Sequence, residues 1–381
     1  MRRRGVGAEP GRRVAIAFHE PVVGGASIAV LRVLPLLEVR GWTFAFWTPP
    51  GPLERRLREM GYPVFGEPRH LRYSLAALRV SPGPVRRLAS VPGYLRRFRH
   101  WVREQAPDVL HANTLITLPE AVAARGTGVP TMLYVHEILP DDRRGAAAGR
   151  LIRRFTDAVI TNSAASVAAL RRAGVEPHES YYGVELPPRP GTTRPATESV
   201  VVGTLGTISH RKGSDIFLDA AERVTRELPE VRFRMVGPRP EGPEGPWADA
   251  MIERARSAGV DWHATDDAFT ELAEWDLLVL PSRSEPFGLV VIEAMAMCLP
   301  VVASRLDGPQ EILTEGTGVL VEPGDSAALA SAIVALARDG ATRQAMGAAG
   351  RERVETEFTL ERQAAAVDAA YADAISRRAG V

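Results

Sequence analysis

Two bases and two acids in this sequence have the types and spacing to handle a phosphorylated, hydroxyl-bearing ligand. Arg211 and Lys212 stand side by side in Gly206-Thr207-Ile208-Ser209-His210-Arg211-Lys212-Gly213, directly after the apolar run Val200-Val201-Val202. Lys212 is the only lysine among 47 basic side chains, the rest being arginine. A glycine-flanked turn between a strand and a helix directs backbone N–H groups at an anion. The Lys212 ammonium adds a compact point charge that a planar guanidinium does not reproduce. A lysine surviving by chance on a solvated helix start is the alternative reading. The acids lie in Pro281-Ser282-Arg283-Ser284-Glu285-Pro286-Phe287-Gly288-Leu289-Val290-Val291-Ile292-Glu293. Pro286 and Gly288 forbid a helix there, so Glu285 belongs to a loop. Leu289 to Met297 then reads as a helix, apolar on every face except at Glu293. Such a helix is buried, and a carboxylate within it needs hydrogen-bond partners. Vicinal hydroxyls of a ribose would satisfy it; so would an internal Arg or Ser. The amides of Phe287, Gly288 and Leu289 would form a second anion- or hydroxyl-binding surface at that helix's start.

Elements must hold these groups in place, and the chain alternates short apolar runs with helical patterns, as parallel α/β layers require. The strand candidates of the first half are Val14–Phe18, Phe44–Trp47, Val109–Ala112, Thr131–His136 and Ala158–Thr161. Those of the second half are Val200–Leu205, Arg232–Val236, Leu277–Leu280, Val301–Ala303 and Val319–Val321. Between the halves, Leu186 to Pro195 holds four prolines in ten residues and can be neither helix nor central strand. Each half opens on a strand, a glycine-bearing turn and a helix, with Gly24-Gly25 in the first turn and Gly206 to Gly213 in the second. The expected fold class is therefore α/β, two Rossmann-like parallel-sheet domains facing across a cleft, with ligands at the carboxyl ends of the strands. The expected division is a loose basic arm over 1–12, a first domain over 13–185, a linker over 186–198 and a second domain over 199–357. A final alanine-rich helix within 358–381 is expected to pack back on the first domain.

Composition narrows the classes. At 381 residues, 45% hydrophobic and 24% charged, the chain is a soluble globular protein of two or three domains. Cys298 is the single cysteine, which excludes an intramolecular disulfide and a thiolate metal cluster and fits a cytoplasmic location. Met1-Arg2-Arg3-Arg4 looks like a signal n-region, but the apolar run Val14 to Phe18 is too short to follow it as an h-region. No stretch approaches the ~20 apolar residues of a membrane-spanning helix. Charge is uneven: residues 1–103 carry 19 Arg against 6 Glu, so the remainder is net negative in a chain whose total is +1. That asymmetry suggests an anionic partner for the first half.

In this order and context the motifs resemble those of the family 4 retaining glycosyltransferases, which have the GT-B fold. Glu285 and Glu293 match that family's E-x7-E motif, and Gly24-Gly25 its N-terminal glycine loop. Tyr134-Val135-His136-Glu137 matches the strand-end histidine, Thr161-Asn162-Ser163 the polar turn closing the first sheet, and Gly308-Pro309-Gln310-Glu311 the late acidic turn. The resemblance runs over residues 14–375. It implies that Arg211 and Lys212 hold the diphosphate of a nucleotide-sugar donor and that Glu293 takes the ribose. Glu285, with Phe287, Gly288 and Leu289, would contact the transferred sugar, and His136 would face that sugar from the first domain. Gly24 and Gly25 would admit the diphosphate or the acceptor closely. Retention by a same-face route, in which the leaving phosphate takes the acceptor proton, calls for no metal and no cofactor beyond the donor. Two departures stand out. The family usually has Arg where this chain has Thr207, and a helix-ending glycine where it has Cys298. A left-handed residue at the second position costs about 1 kcal/mol without glycine.

Weaker signals have two readings each. Arg69 to Arg103 holds nine arginines and no acid. Leu95, Phe98 and Val102 on one helical face could dock on anionic lipid at the inner face of a membrane, or face the core beneath a solvated arginine surface. No nucleic-acid-binding motif accompanies the charge. His19 and His111 follow strands and are expected as polar loop residues. Asp141-Asp142 and Asp266-Asp267 are expected as caps, and Trp262 and His263 as core or as flanks of a nucleobase. The sugar, the base and the acceptor (polysaccharide, lipid or secondary metabolite) stay open. UDP is the base expected from family frequency. A non-catalytic sugar-nucleotide-binding subunit, which Thr207 would favour, and a GT-B epimerase or phosphorylase are the alternatives.

Overall fold

The computed structural model describes residues 11–68, 73–74, 79–80, 85–188, 199–265 and 267–380, with backbone only for those described before residue 90 and after residue 72. Residues 1–10 of the expected basic arm, the side chains of 69–89, Asp266 and 189–198 of the proline-rich segment lie outside what is described. The chain divides into two compact units, residues 1–183 with 360–381, and residues 184–359.

The first unit runs β1 (Arg12–Ala17), α1 (Gly25–Val39), β2 (Trp42–Thr48), α2 (Pro52–Glu59), β3 (Val64–Gly66), β4 (Tyr73–Ser74), β5 (Arg79–Val80) and α3 (Val85–Gln105). It continues through β6 (Val109–Asn113), α4 (Leu118–Ala124), β7 (Thr131–Val135), α5 (Arg143–Phe155), β8 (Ala158–Thr161), α6 (Ala164–Arg172) and β9 (His178–Glu179). Among the described residues its main sheet has seven parallel strands in the order β3-β2-β1-β6-β7-β8-β9. The second unit contains β10 (Val201–Leu205), α7 (Ser214–Glu227), β11 (Arg232–Val236), α8 (Gly245–Ser257), β12 (Asp261–His263), α9 (Ala268–Leu272), β13 (Leu277–Leu280) and α10 (Leu289–Ala296). It ends with β14 (Val301–Ser304), α11 (Asp307–Ile312), β15 (Val319–Val321), α12 (Ser326–Arg338) and α13 (Gly340–Glu357). Its six parallel strands take the order β12-β11-β10-β13-β14-β15 among the described residues. Each sheet reverses its winding once, between β1 and β6 and between β10 and β13. Such a switch point leaves a crevice beyond the strand ends, where a ligand meets two diverging loops.

The continuous apolar runs become central strands because both faces are covered: Val14 to Ala17 and Leu277 to Val279 are fully buried. The strands that the sequence does not reveal are short elements with too few apolar residues to show a period: the edge strands β3, β9 and β12, and the antiparallel pair β4 and β5. Arg12 belongs to β1 rather than to a loose arm; it pairs with Trp42 and its guanidinium lies 4.1 Å from that ring's centroid. The last helix, α14 (Leu360–Ala379), returns to the first unit. It is anchored by polar contacts that fix its register: Trp42 Nε1 donates to Asp368 at 2.7 Å, Gly183 N–H to Gln363 at 2.7 Å, and His178 bonds Asp373 at 2.8 Å.

Helix α3 settles its two readings. Tyr94, Phe98, Trp101 and Val102 are buried against Trp47, while Arg96, Arg97 and Arg103 are exposed. The apolar stripe is core and is not offered to a lipid surface. Asp142 and Asp267 cap α5 and α9, each accepting from two backbone N–H groups. Among the described residues no helix is long and apolar enough to cross a membrane.

Helix α10 ends in a left-handed residue that carries a side chain. Cys298 has φ +58°, its N–H donates to Met295 at 3.0 Å, and the Leu299 N–H donates to Ala294 at 2.9 Å. This is the double hydrogen-bond pattern in which glycine normally fills the left-handed place. Cys298→Gly should therefore stabilise the second unit by about 0.5–1 kcal/mol, the relief of left-handed strain exceeding the entropy that glycine adds to the unfolded chain. Urea unfolding checks this; a variant less stable than the parent would show that the thiol's packing outweighs the strain.

Candidate functional site

The two loops at the switch point of the second sheet carry the groups that the sequence singles out. After β10 the chain turns at Gly206 (φ +154°), runs through Arg211 and Lys212, and enters α7 from Gly213, which is left-handed at φ +71°. Glycine suits both ends: Gly206 takes a φ that L side chains rarely adopt, and a Cβ at the left-handed Gly213 would collide with the Pro281 carbonyl. After β13 the second loop carries Ser282 to Gly288. Gly288, left-handed at φ +104°, starts α10, whose first amides have no acceptor inside the helix.

Lys212 and Glu285 meet there. Lys212 Nζ donates to Glu285 Oε2 at 2.5 Å, and Ser282 Oγ donates to the same oxygen at 3.2 Å. Lys212 is 19% exposed and Glu285 9%, so the pair is largely withdrawn from water. The Lys212 methylenes lie over Gly206, with Cε 3.6 Å from where a Cβ would stand. Arg211 is exposed and sends Nη1 to the Ser284 carbonyl at 3.1 Å. Glu293, the third residue expected here, is on α10 and only 4% exposed. Phe287 is buried against Phe358, which leaves its backbone rather than its ring to face a ligand. A small cavity beside this turn is lined by Gly206, Thr207, Ile208, Lys212, Ser214 and Leu280. Thr207, where an arginine was expected, is thus on the cavity wall and brings no charge to it.

Gly24, Gly25 and His136 stand at strand ends of the first unit. Gly24 is the N-cap of α1, with Ser27 closing the turn through hydrogen bonds of 2.9 Å to both its N–H and its carbonyl. His136 follows β7 and is buried beneath Tyr134, whose ring stacks at 4.2 Å between centroids. Its Nε2 lies 2.7 Å from Asn113 Oδ1 and its Nδ1 bonds the Tyr182 hydroxyl. An amide oxygen only accepts, so Nε2 carries the proton and Nδ1 accepts from Tyr182. Burial, reinforced by the fields of His111 and His19, holds the imidazole well below its ordinary pKa, and it is neutral at pH 7. His111 is not the loop residue that the sequence suggests. It is the third residue of β6, an interior strand between β1 and β7, and is buried there; its Nδ1 bonds Tyr371 at 2.8 Å and burial lowers its pKa to about 3.

A second group at this end was not read from the sequence. His19 Nδ1 lies 3.1 Å from Thr114 Oγ1, and its Nε2 lies 3.7 Å from Glu20. Glu137 accepts from the His136 N–H at 3.0 Å and the Leu115 N–H at 3.4 Å. Burial pushes both carboxyls up to about 7, in Glu137 against the pull of those amides and with a further push from Glu20. The signal was present as two glutamates each following a histidine, but nothing local joins residues 20 and 137. A carboxyl whose folded pKa exceeds its unfolded value binds more protons when folded, so its contribution falls as pH rises from about 4.5 to 7 and is constant above. Glu137→Gln removes that slope. The melting temperature of the variant minus that of the parent should rise by roughly 5–10 °C between pH 5 and pH 8, corresponding to about 2.5 kcal/mol. A difference independent of pH would show that Glu137 ionises normally.

Among the described residues no three His, Cys, Asp or Glu side chains stand together as a metal site. His263, one candidate flank of a nucleobase, bonds Glu271 at 2.7 Å, and Trp262 packs on the second unit's core.

Residues 199–339 match the family described as glycosyl transferases group 1, and residues 23–184 match that described as glycosyltransferase family 4. The chain is 30% identical over 356 residues to the phosphatidyl-myo-inositol mannosyltransferase of Mycobacterium leprae, spanning 87% of this chain and 89% of that protein. It is also 30% identical to the glycogen synthase of Mycobacterium tuberculosis, over 71% of this chain and 69% of that one. Among solved structures, Alr3699/HepE of Anabaena in complex with UDP and glucose superposes with a TM-score of 0.76 at 23% identity, covering 93% and 99% of the two chains. The sucrose-phosphate synthase of Thermosynechococcus elongatus gives a TM-score of 0.75 at 22% identity, covering 95% and 98%. These two likenesses are likenesses of fold.

Proposed function

Because the chain belongs to the group 1 glycosyltransferases of family 4, we propose that it moves a sugar from a nucleoside-diphosphate sugar to an acceptor hydroxyl, retaining configuration and using no metal ion. The observation that carries this reading is the pairing of Lys212 with Glu285 at the second switch point, beside the amino end of α10. Breaking the bond between the anomeric carbon and the phosphate leaves negative charge on the diphosphate. A fixed ammonium and inward-pointing amides stabilise that charge where it develops. The acceptor oxygen then bonds the anomeric carbon on the face that the phosphate leaves, and its proton passes to the departing phosphate oxygen. Glu285 accepts hydrogen bonds from the sugar, and Glu293 from the ribose. Arg211, exposed at the mouth of the turn, supplies a second charge to the diphosphate. Gly288 and Leu289 give amides, and Gly24 and Gly25 let an anionic group approach the start of α1. His136 enters as a neutral group, and contact with a sugar requires it to give up Tyr182 or Asn113.

UDP is favoured as the donor base because the Anabaena neighbour was solved with UDP and with UDP-glucose. The relatives act on acceptors as unlike as a phosphoinositide and glycogen, so the acceptor class is left to experiment. A screen of UDP-, GDP-, ADP- and TDP-sugars, with and without a chelator, tests the reading. One donor should raise the melting temperature and slowly release its diphosphate, with chelator making no difference. Inverted product would overturn retention, and loss of activity with chelator would overturn metal independence. A protein that responds to no donor would instead be a non-catalytic member of the family.

A further inference from the structure

We propose that Arg283 and Asp215 form a positioning clamp that holds the Gly206–Gly213 turn in the shape a diphosphate requires, an inference resting on the donor-site reading above. Arg283 lies two residues before Glu285, and Asp215 is the second residue of α7. The guanidinium takes both carboxylate oxygens, Nη1 to Oδ1 and Nη2 to Oδ2, at 2.7 Å each. The same Nη1 donates to the His210 carbonyl at 2.8 Å, inside the turn itself. The backbone repeats the tie: the Arg283 N–H donates to the Arg211 carbonyl at 2.8 Å, and Arg211 reaches back to Ser284. Two loops that leave neighbouring strands, and have no covalent reason to stay together, are thus joined on both sides of Lys212.

Two features separate this arrangement from an ordinary surface ion pair, which contributes little. It is bidentate, with the side chains only 31% and 27% exposed, and a planar fork holds orientation as well as distance. It also hides a charge. Asp215 stands in the first turn of the helix whose amino end meets the diphosphate, where an uncovered carboxylate would repel that ligand. Burial works against the ionised form of Asp215, yet the hydrogen bonds and charge of Arg283 outweigh it and hold the carboxyl below its ordinary value. Arg283 therefore touches no substrate in this scheme. It places Lys212 and cancels an anion that would compete with the donor.

Calorimetric titration of the full chain tests this. The ligands are whichever of UDP, GDP, ADP and TDP the parent binds, and the matching nucleoside. Arg283→Ala should weaken the diphosphate at least ten-fold and leave the nucleoside within about two-fold. Arg283→Lys, which keeps the charge and loses the fork, should also weaken the diphosphate and secures the test if the alanine variant folds poorly. Adding Asp215→Asn to Arg283→Ala should recover about three-fold of the loss, because the unmasked charge is gone while the tether is still broken. Equal weakening of diphosphate and nucleoside, or no weakening at all, would overturn the clamp and leave the donor site standing. A parent that binds none of the four diphosphates would overturn the donor-site reading and the clamp with it.

Discussion

Lys212→Ala should lower kcat/KM for the donor by about 10²–10³-fold, mostly through kcat, while the melting temperature moves by only a few degrees. The size follows from the lack of a cation that could take the place of Lys212 beside Glu285. Arg211, next in the chain, is exposed and directed to the Ser284 carbonyl. Arg283, the other cation in contact with this turn, has its fork taken by Asp215. Thr207 leaves the cavity wall uncharged where an arginine could have shared the work. Lys212→Arg should not restore the rate. The lysine methylenes lie over Gly206 and bring one ammonium to Glu285 and the diphosphate position; a guanidinium is longer and planar and donates as a fork. Steady-state kinetics with the donor identified by screening, alongside far-ultraviolet circular dichroism, provides the check. An alanine variant within three-fold of the parent would remove Lys212 from the site.

What the sequence made legible is what local rules govern. The strand candidates all became strands, every one but β15 interior to its sheet, and most are the apolar runs that a strand covered on two faces needs. The left-handed turn at Cys298 was anticipated through the resemblance, which puts a helix-ending glycine at that place. Glu285 and Lys212 could each be placed on a loop after a strand, and a doubly wound sheet sets adjacent loops side by side at its switch point. Pairings between distant residues were out of reach. Nothing in the neighbourhood of Arg283 says that its partner is Asp215, 68 positions earlier. The engagement of His111 with Tyr371 spans 260 positions and depends on the chain leaving the first unit and returning to it as α14. Asn113 and Tyr182, which set the tautomer of His136, are ordinary polar residues until the fold brings them to its two nitrogens. The charge on α3 left two readings open for a similar reason: the stripe of Leu95, Phe98 and Val102 has the same spacing whether it faces lipid or the core.

Glu285→Gln should separate binding from transfer, because the carboxylate that serves the sugar also occupies the cation that serves the phosphate. In the parent, Lys212 Nζ is held 2.5 Å from Glu285 Oε2, so a diphosphate gains the ammonium only by sharing or displacing that contact. A neutral amide keeps the shape, and its oxygen can still accept from Ser282, but it holds Lys212 far less strongly. The free nucleoside diphosphate should therefore bind the variant more tightly, by about ten-fold or 1.4 kcal/mol. Transfer should fall by about 10²–10³-fold, since the hydrogen bonds from the sugar to an ionised carboxylate are gone at the moment when the anomeric carbon becomes positively charged. The two effects have opposite signs, which general damage to the loop cannot produce. Titration of the diphosphate into parent and variant, set beside turnover of the intact donor, reads both. Weaker binding together with slower transfer would mean that Glu285 does no more than shape the loop, and that Lys212 is available to phosphate in the parent without any exchange of partners.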